Sequence, residues 1–196
     1  MRMQFVGQSQ AIPEAVAQRM RGASWHAALP GGFVGPRFDE LRLLTVTHWD
    51  FAQQVRKGEL VVATAVAEFV LQIFEAIFLA EFPIAQLRLI DDYAGDDERS
   101  MADNNSSAFN CRLIAGTTRP SRHALGLAID INPVQNPYVV KGVVYPESAQ
   151  PYVDRSMVRP GMLFQGDPVV SAFARAGWVW GGTWTEPKDY HHFELP

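Results

Sequence analysis

Cysteine is nearly absent from this chain of 196 residues, in which Cys111 is the single example. No internal disulfide can form, and structural zinc sites built from several cysteines are excluded by the same count. Cys111 lies in the apolar run of residues 109–114, where we expect a small buried side chain and not a nucleophile. The lack of cystines does not identify the cellular compartment, since a reducing cytosol and a periplasm are both compatible with it.

An excess of positive charge is also lacking. The chain has 17 Lys and Arg against 21 Asp and Glu, a formal net charge of −4, and no basic run. Because nucleic-acid binding requires a basic face, we expect no nucleic-acid partner. The 47% hydrophobic and 19% charged content disfavours a disordered chain or a coiled coil. The length is typical of one domain, which we predict over residues 1–196.

No apolar run is long enough to cross a membrane. The longest apolar stretch, residues 61–82, is interrupted by Glu68, Gln72, Glu75 and Glu81. Its apolar residues follow the i, i+3, i+4, i+7 spacing of a helix face and are Val66, Phe69, Val70, Ile73, Phe74 and Ile77. The stretch therefore predicts a core helix that Pro83 stops, and no transmembrane segment.

The first ten residues alternate polar and apolar side chains and contain no apolar segment of the kind found in signal peptides. We expect no signal peptide in this sequence and leave the localisation open. Two further helices are predicted from the residues at their ends. Pro13 and Gly22 bracket the first, while Asp167 and Pro168 begin the other and Gly177 closes it.

Strands are predicted over residues 41–47, 84–90, 109–114, 178–180 and 191–195, with a polar loop over residues 91–107. Residues 133–160 contain five prolines and a predicted hairpin turn at Lys141 and Gly142. This segment either frames a site or is a tolerated surface insertion. Because helices and strands do not alternate regularly, we predict an α+β domain with a mainly antiparallel sheet and flanking helices.

Two segments carry residues suited to metal chemistry, namely residues 121–132 and residues 189–194. Catalytic zinc commonly takes three protein ligands from His and carboxylates and keeps a fourth position for water. His123 and Asp130 are seven residues apart, and Gly126 between them predicts a turn into a strand that brings the two side chains together. The third ligand would be His191 or His192, since neighbours on a strand face opposite sides and spacing does not choose between them.

Asp189 lies three residues before His192, near the predicted metal but outside its ligands. A general base must lie there to take a proton from water. Glu186 and Glu194 are rival bases on proximity alone. Against the metal site, a histidine in an apolar strand is usually a satisfied core or surface residue, and Asp130 could be paired in a buried network.

The pattern Ser-x-His-x-x-Gly-x-Ala-x-Asp, followed far downstream by Asp-x-x-His-Phe, resembles the zinc D-alanyl-D-alanine carboxypeptidase family. That family includes the VanY-like carboxypeptidases and the phage L-alanyl-D-glutamate endolysins. The resemblance extends over residues 104–112, 130–137 and 177–184, covers about residues 40–196, and is greatest to the VanY-like branch. It implies a fold like that of hedgehog and the DD-peptidases.

The resemblance implies that one zinc ion per chain is bound by His123, Asp130 and His192, and that His191 is not a ligand. It also implies that Asp189 is the catalytic acid and base. Some relatives carry Glu at that position, so this chain matches the Asp-bearing branch.

The resemblance further suggests that Arg112 anchors a substrate carboxylate or stabilises the developing oxyanion, since the planar guanidinium pairs well with carboxylate oxygens. Ser121 would support a ligand or hydrogen-bond the substrate. Trp184, with Trp178 and Trp180, would line a cleft for a peptide, although tryptophans on a strand are at least as often core residues.

The implied activity is hydrolysis of a peptide bond in the stem peptides of bacterial peptidoglycan, as a D-alanyl-D-alanine carboxypeptidase. One alternative is an endopeptidase of the endolysin type that cleaves L-alanyl-D-glutamate. The other is a zinc-bearing domain that binds its partner without catalysis. The sequence predicts no oligomeric state.

Overall fold

Four helices lie within residues 3–196, which the computed structural model of the protein describes. They are α1 (Glu14–Arg21), α2 (Ala67–Leu79), α3 (Asp97–Ala102) and α4 (Pro168–Arg175). The predicted ends of α1 and α4 are confirmed. In α4 the Asp167 carboxylate accepts a hydrogen bond from the backbone N–H of Val170 at 2.7 Å, with Pro168 in the first turn.

The strands of the same residues are short apart from β4 and β5. They are β1 (Gly7–Ala11), β2 (Ala28–Leu29), β3 (Phe33–Val34), β4 (Leu41–Trp49), β5 (Val55–Ala63), β6 (Gln86–Leu87), β7 (Asn105–Ser106), β8 (Ala128–Asp130), β9 (Tyr138–Val140), β10 (Val143–Tyr145), β11 (Val179–Trp180), β12 (Lys188–Asp189) and β13 (His192–Glu194).

The strands form three sheets of three strands, in the orders β1-β4-β5, β10-β9-β12 and β11-β13-β8, with two smaller pairs, β2-β3 and β6-β7. Among the strands of residues 3–196 only β6 and β7 pair with each other in parallel, and an isolated parallel bridge joins Trp49 to Pro83. The α+β class with mainly antiparallel pairing is therefore confirmed. The strands are divided among several small sheets because most of them extend over only two or three residues.

The main core lies between α2, the inner face of β4 and β5, and one face of β8 and β13. Phe173 of α4 stacks on Phe193 of β13 with ring centroids 3.9 Å apart, and Ile129 of β8 is fully buried beside them. Side chains alternate along a strand, so the residues flanking Ile129 and Phe193 face away from this core. Asp130 and His192 are thereby directed to the opposite face.

The prediction for residues 61–82 was wrong at its start. Val61 and Val62 belong to β5, where they pair with β4, and α2 begins only at Ala67. Their β-branched side chains fit a pleated strand, which explains the difference. Phe69 lies at the flank of the buried stripe and is 55% exposed, so its predicted burial was also wrong.

Three other predicted elements differ from the structure. The strand predicted over residues 84–90 is limited to β6, and the loop predicted over residues 91–107 contains a 3₁₀ turn, Ile90–Tyr93, followed by α3 and β7. Residues 109–114 form no strand and only an isolated bridge between Leu113 and Pro120. Their backbone N–H groups bind separate segments: that of Asn110 donates to His123 and that of Cys111 donates to Ser24. Cys111 is buried, as predicted.

Within residues 3–196, no helix combines the length and the apolar character that a membrane crossing needs.

Candidate active site

The segment that carries His123 is a tight turn that leads directly into β8. The hydroxyl of Ser121 accepts a hydrogen bond from the backbone N–H of His123 at 3.2 Å and caps the 3₁₀ turn Arg122–Leu125. Gly126 then adopts a φ of +67°, and a Cβ there would lie 2.5 Å from the backbone nitrogen of Ala63. Glycine is thus required both by the left-handed conformation and by close packing. The predicted turn into a strand is confirmed.

Asp130 and His192 face each other across neighbouring strands. They are direct partners in the antiparallel pairing of β8 with β13. Directly opposed residues project to the same face of a sheet with their Cβ atoms about 4.5–5.5 Å apart. The register therefore brings together two side chains that are 62 residues apart in the sequence.

His123, Asp130 and His192 form one buried cluster, in which a ligand atom from each lies within 4.8 Å of the others. Nε2 of His123 is 3.2 Å from Oδ2 of Asp130, and Nδ1 of His192 is 3.0 Å from Oδ1 of Asp130. The two ring nitrogens are 3.2 Å apart. The structure thus brings together the three residues that the sequence predicts as metal ligands.

The remaining ring nitrogens of both histidines face oxygen acceptors. Nδ1 of His123 lies 2.5 Å from the carbonyl oxygen of Ala108, and Nε2 of His192 lies 3.1 Å from Oε2 of Glu194. When each of these nitrogens donates a hydrogen bond to its oxygen and the ring is neutral, the inner nitrogen keeps a lone pair that can bind a metal. Two lone pairs and a carboxylate converge on one point, which is the donor set of a zinc site. The residues present therefore fit this metal.

Neighbouring charges shift the pKa values of the side chains in this cluster. Burial by itself would raise the pKa of Asp130, but His123 and His191 hold that pKa well below its usual range. Burial likewise opposes protonation of His192, yet its hydrogen bonds with Asp130 and Glu194 raise its pKa to about 10. A metal that binds Nδ1 of His192 must therefore displace the proton held there. The centre is thus built around a buried carboxylate that stays negatively charged.

His191 lies beside this cluster and outside it. Its Nδ1 is 2.8 Å from the carbonyl oxygen of Asn136, and its Nε2 is 3.1 Å from Oδ1 of Asp189 and 3.9 Å from Oδ2 of Asp130. The residue precedes β13, so strict strand alternation does not determine its direction. The ring instead lies between the two carboxylates.

Asp189 lines the same cleft as the cluster and lies next to His191. It lies in β12 opposite Tyr138 of β9, and its Oδ1 is buried without accepting a hydrogen bond of good geometry among the described residues. Burial raises the pKa of Asp189, the charges of His191 and His192 oppose this, and Asp130 adds to it. A buried carboxylate with a raised pKa is suited to act as a general base.

A cleft of about 800 Å³ opens over these residues. All the site residues predicted from the sequence line it: His123, Asp130, His192, Asp189, Arg112, Ser121 and Trp184. The ring of Trp184 lies 5.5 Å from that of His192. Trp178 and Trp180 are core residues, only 4% and 8% exposed. The core interpretation therefore holds for these two tryptophans.

Arg112 reaches the cleft beside Ser121, whose backbone N–H donates to the carbonyl of Arg112 at 3.0 Å. The guanidinium of Arg112 forms an ion pair with Asp97 of α3. Sequence reasoning did not identify Asp97, because α3 lies in the segment expected to be a polar loop.

The segment of residues 133–160 frames one side of the cleft. Its hairpin β9-β10 turns at Lys141 and Gly142, with φ angles of 49° and 78°, as predicted. Tyr138 and Tyr145 of this hairpin line the cleft. Because β9 also pairs with β12, the hairpin is joined directly to the strand of Asp189, which favours the site-framing alternative.

The carboxylates of the two rival bases, Glu186 and Glu194, form hydrogen bonds with other residues. Glu186 accepts a hydrogen bond from the backbone N–H of Lys141 at 2.8 Å, and Glu194 is paired with His192. The position of Glu194 could have been found from its spacing, since it lies two residues after His192 and shares its strand face. The carbonyl of Ala108 could not, because a backbone group leaves no signal in the sequence.

The comparison with known proteins found one family match. Residues 115–195 match a family model described as D-alanyl-D-alanine carboxypeptidase. The match confirms the resemblance. It supports a metallopeptidase, and the matched span contains the metal cluster and Asp189, while Arg112 lies outside it. No curated protein and no solved structure matches the chain.

Proposed function

We propose that the protein is a zinc-dependent peptidase that cleaves bacterial cell-wall peptides, as a D-alanyl-D-alanine carboxypeptidase with peptidoglycan stem peptides as substrate. The observation that carries the proposal is the convergence of a ring nitrogen from His123, a ring nitrogen from His192 and the Asp130 carboxylate in one buried cluster, with Asp189 in the same cleft. The family match over residues 115–195 supports it.

One zinc ion would be held by His123, Asp130 and His192. When bound, it supplies a Lewis acid that polarises the scissile carbonyl and makes water more acidic. Glu194 and the carbonyl of Ala108 fix the ring directions of the two histidines. Such partners preserve ligand geometry and basicity.

Asp189 would move the proton. Its Oδ1 accepts the proton of the attacking water and later returns it to the nitrogen of the leaving amine, so that one carboxylate serves both steps. Burial favours the neutral form that exists between these steps, which agrees with the raised pKa of Asp189.

Substrate binding would involve the other residues of the cleft. The guanidinium of Arg112 pairs with the terminal carboxylate of the peptide. Ser121 uses an oxygen lone pair to cap the turn before His123, so its O–H remains available to donate to substrate. Trp184 offers an aromatic surface next to His192.

We also propose that residues 1–196 form one zinc peptidase domain. A single cluster of buried side chains extends from Leu44 of β4 through Phe74 of α2 to Ile129 and Phe193, which lie behind the site. The part of the chain outside the family match thus shares its core with the part inside.

Mass spectrometry of purified muropeptides digested by the zinc-loaded protein tests the proposed function. We expect pentapeptide stems to lose their terminal D-alanine, and stems with an amidated C-terminus to react poorly. Cleavage between L-alanine and D-glutamate would instead identify an endopeptidase. A zinc-loaded protein that is inert on muropeptides of every length would identify a binding domain without catalysis.

A further inference from the structure

The guanidinium of Arg112 is already paired on one edge. Its Nε forms an ion pair with Oδ2 of Asp97 but donates no hydrogen bond of good geometry among residues 3–196, and Nη1 lies 3.4 Å from the carbonyl oxygen of Leu113. The side chains of Arg112 and Asp97 are 37% and 29% exposed, so the pair is partly shielded from water at the wall of the cleft.

The carboxylate of Asp97 is itself oriented by a hydrogen bond from Asn110. Its Oδ1 accepts a hydrogen bond from Nδ2 of Asn110 at 2.8 Å, and the same amide donates to the carbonyl of Gly95 at 3.1 Å. Asn110 is only 5% exposed, and its backbone N–H donates to the carbonyl of His123 at 3.2 Å. A continuous set of polar contacts therefore links the loop of a candidate metal ligand to the guanidinium of Arg112.

We propose that Asp97 is a positioning residue that directs Arg112 toward the free C-terminal carboxylate of a peptide substrate; this rests on the proposed function. Arginine has five N–H donors in a rigid plane, so a carboxylate on the Nε edge leaves donors on the terminal nitrogens for a second carboxylate. A long side chain that is held in advance loses less conformational entropy when the substrate binds.

Glu98 provides a matched control for Asp97. It is the next residue of α3, it also lines the cleft, and it is exposed without an ion pair among residues 3–196. Asp97→Asn and Glu98→Gln each remove one negative charge from the same turn of the helix. A general effect of charge on the cleft would appear in both variants, and an effect through Arg112 would appear only in Asp97→Asn.

The first measurement is kcat/KM on a stem peptide with a free C-terminus and on its amide, using the zinc-loaded full chain. We expect Asp97→Asn to lower the value for the free peptide by about tenfold to 100-fold, the range expected when a substrate-positioning group is misplaced. The value for the amide should change much less, and Glu98→Gln should resemble wild type on both. Asp97→Glu keeps the charge and should restore part of the loss.

A double-mutant cycle tests whether Asp97 acts through Arg112. In an Arg112→Gln background, Asp97→Asn should cause no further loss on the free peptide. Equal losses on free and amidated peptides, or a further loss in the Arg112→Gln background, would overturn the proposal. Zinc content and the melting temperature of each variant show whether the fold is retained.

A spectroscopic measurement makes the pairing testable apart from the activity. In protein labelled with nitrogen-15, the Nε–H signal of Arg112, assigned by its loss in Arg112→Lys, should shift and exchange faster in Asp97→Asn than in Glu98→Gln. An unchanged signal overturns the positioning role even if the peptidase is active. A wild-type protein inert on all muropeptides would overturn the proposed function and with it the carboxylate role, whereas the signal would still report whether Asp97 holds Arg112.

Discussion

Nε2 of His123 and Nδ1 of His192 face each other at 3.2 Å, although the other nitrogen of each ring is directed at an oxygen acceptor. Two nitrogen lone pairs repel each other at this distance unless a proton or a cation lies between them. The carboxylate of Asp130 completes the set from the neighbouring strand. A metal ion that replaces the proton between these rings would bind both nitrogens together with the Asp130 carboxylate.

The ligand set predicts the zinc content of three single variants. His123→Ala and His192→Ala should lose most of the metal, because each removes one of three protein ligands. His191→Ala should keep it, since its Nε2 is directed at Asp189 and lies 3.9 Å from Asp130. Elemental analysis of the purified proteins checks this. A metal-free His191→Ala together with a zinc-loaded His192→Ala would show that the ligand set is wrong.

Glu194 should tune the affinity of the metal without binding it. Its carboxylate holds Nε2 of His192 at 3.1 Å, and loss of such a partner typically weakens metal binding by about 10–100-fold. We expect Glu194→Gln to fall within this range in a competition titration with a zinc chelator. Glu186→Gln is the control, because Glu186 binds the backbone of Lys141 and not a ligand. Equal zinc affinities in the two variants would contradict the role of Glu194.

Asp189→Asn should keep zinc and lower kcat by about 10²–10⁴-fold, since it preserves shape and removes the base.

The pH dependence of the activity follows from the direction of the pKa shift of Asp189. Burial raises the pKa of Asp189 above 3.8, and only the charged form accepts a proton, so the activity of the wild type should fall as the pH decreases through this raised value. The part of the acidic limb due to Asp189 should be absent in Asp189→Asn. Zinc stoichiometry and a pH–rate profile on the same samples check both points, and a variant within a few-fold of wild type would place the base elsewhere.

Gly181→Ala should impair catalysis by displacing Asp189. A Cβ at this position would lie 2.6 Å from the carbonyl oxygen of Asp189 and 2.9 Å from its Cβ, closer than such atoms can approach. We expect kcat to fall by about tenfold to 100-fold with near-normal zinc content, because a small misplacement of a catalytic group has such an effect. Gly22→Ala is the control, since its Cβ would make only an ordinary contact of 3.4 Å with the carbonyl oxygen of Arg19. Normal turnover in Gly181→Ala would show that Asp189 tolerates the displacement.

Local signals were sufficient wherever short-range chemistry determines the structure. The ends of α1 and α4, the hairpin turn at Lys141 and the turn at Gly126 were predicted because capping residues, proline and glycine act within a few residues of their own position. The strand expected over residues 109–114 failed for the opposite reason. Apolar residues there suit a strand, but the N–H groups of Phe109, Asn110 and Cys111 donate to three separate segments, and only Leu113 forms a bridge, with Pro120.

The sequence by itself determined the kinds of residue available for chemistry: two histidines and two aspartates in two compact motifs, the family resemblance, and an α+β chain. Only the tertiary structure decided how they are arranged. The register of β8 with β13 places Asp130 opposite His192, α3 brings Asp97 to Arg112, and the Ala108 carbonyl sets the direction of the His123 ring. These contacts join residues far apart in the chain, and they form only when the folded core holds both partners at a fixed distance.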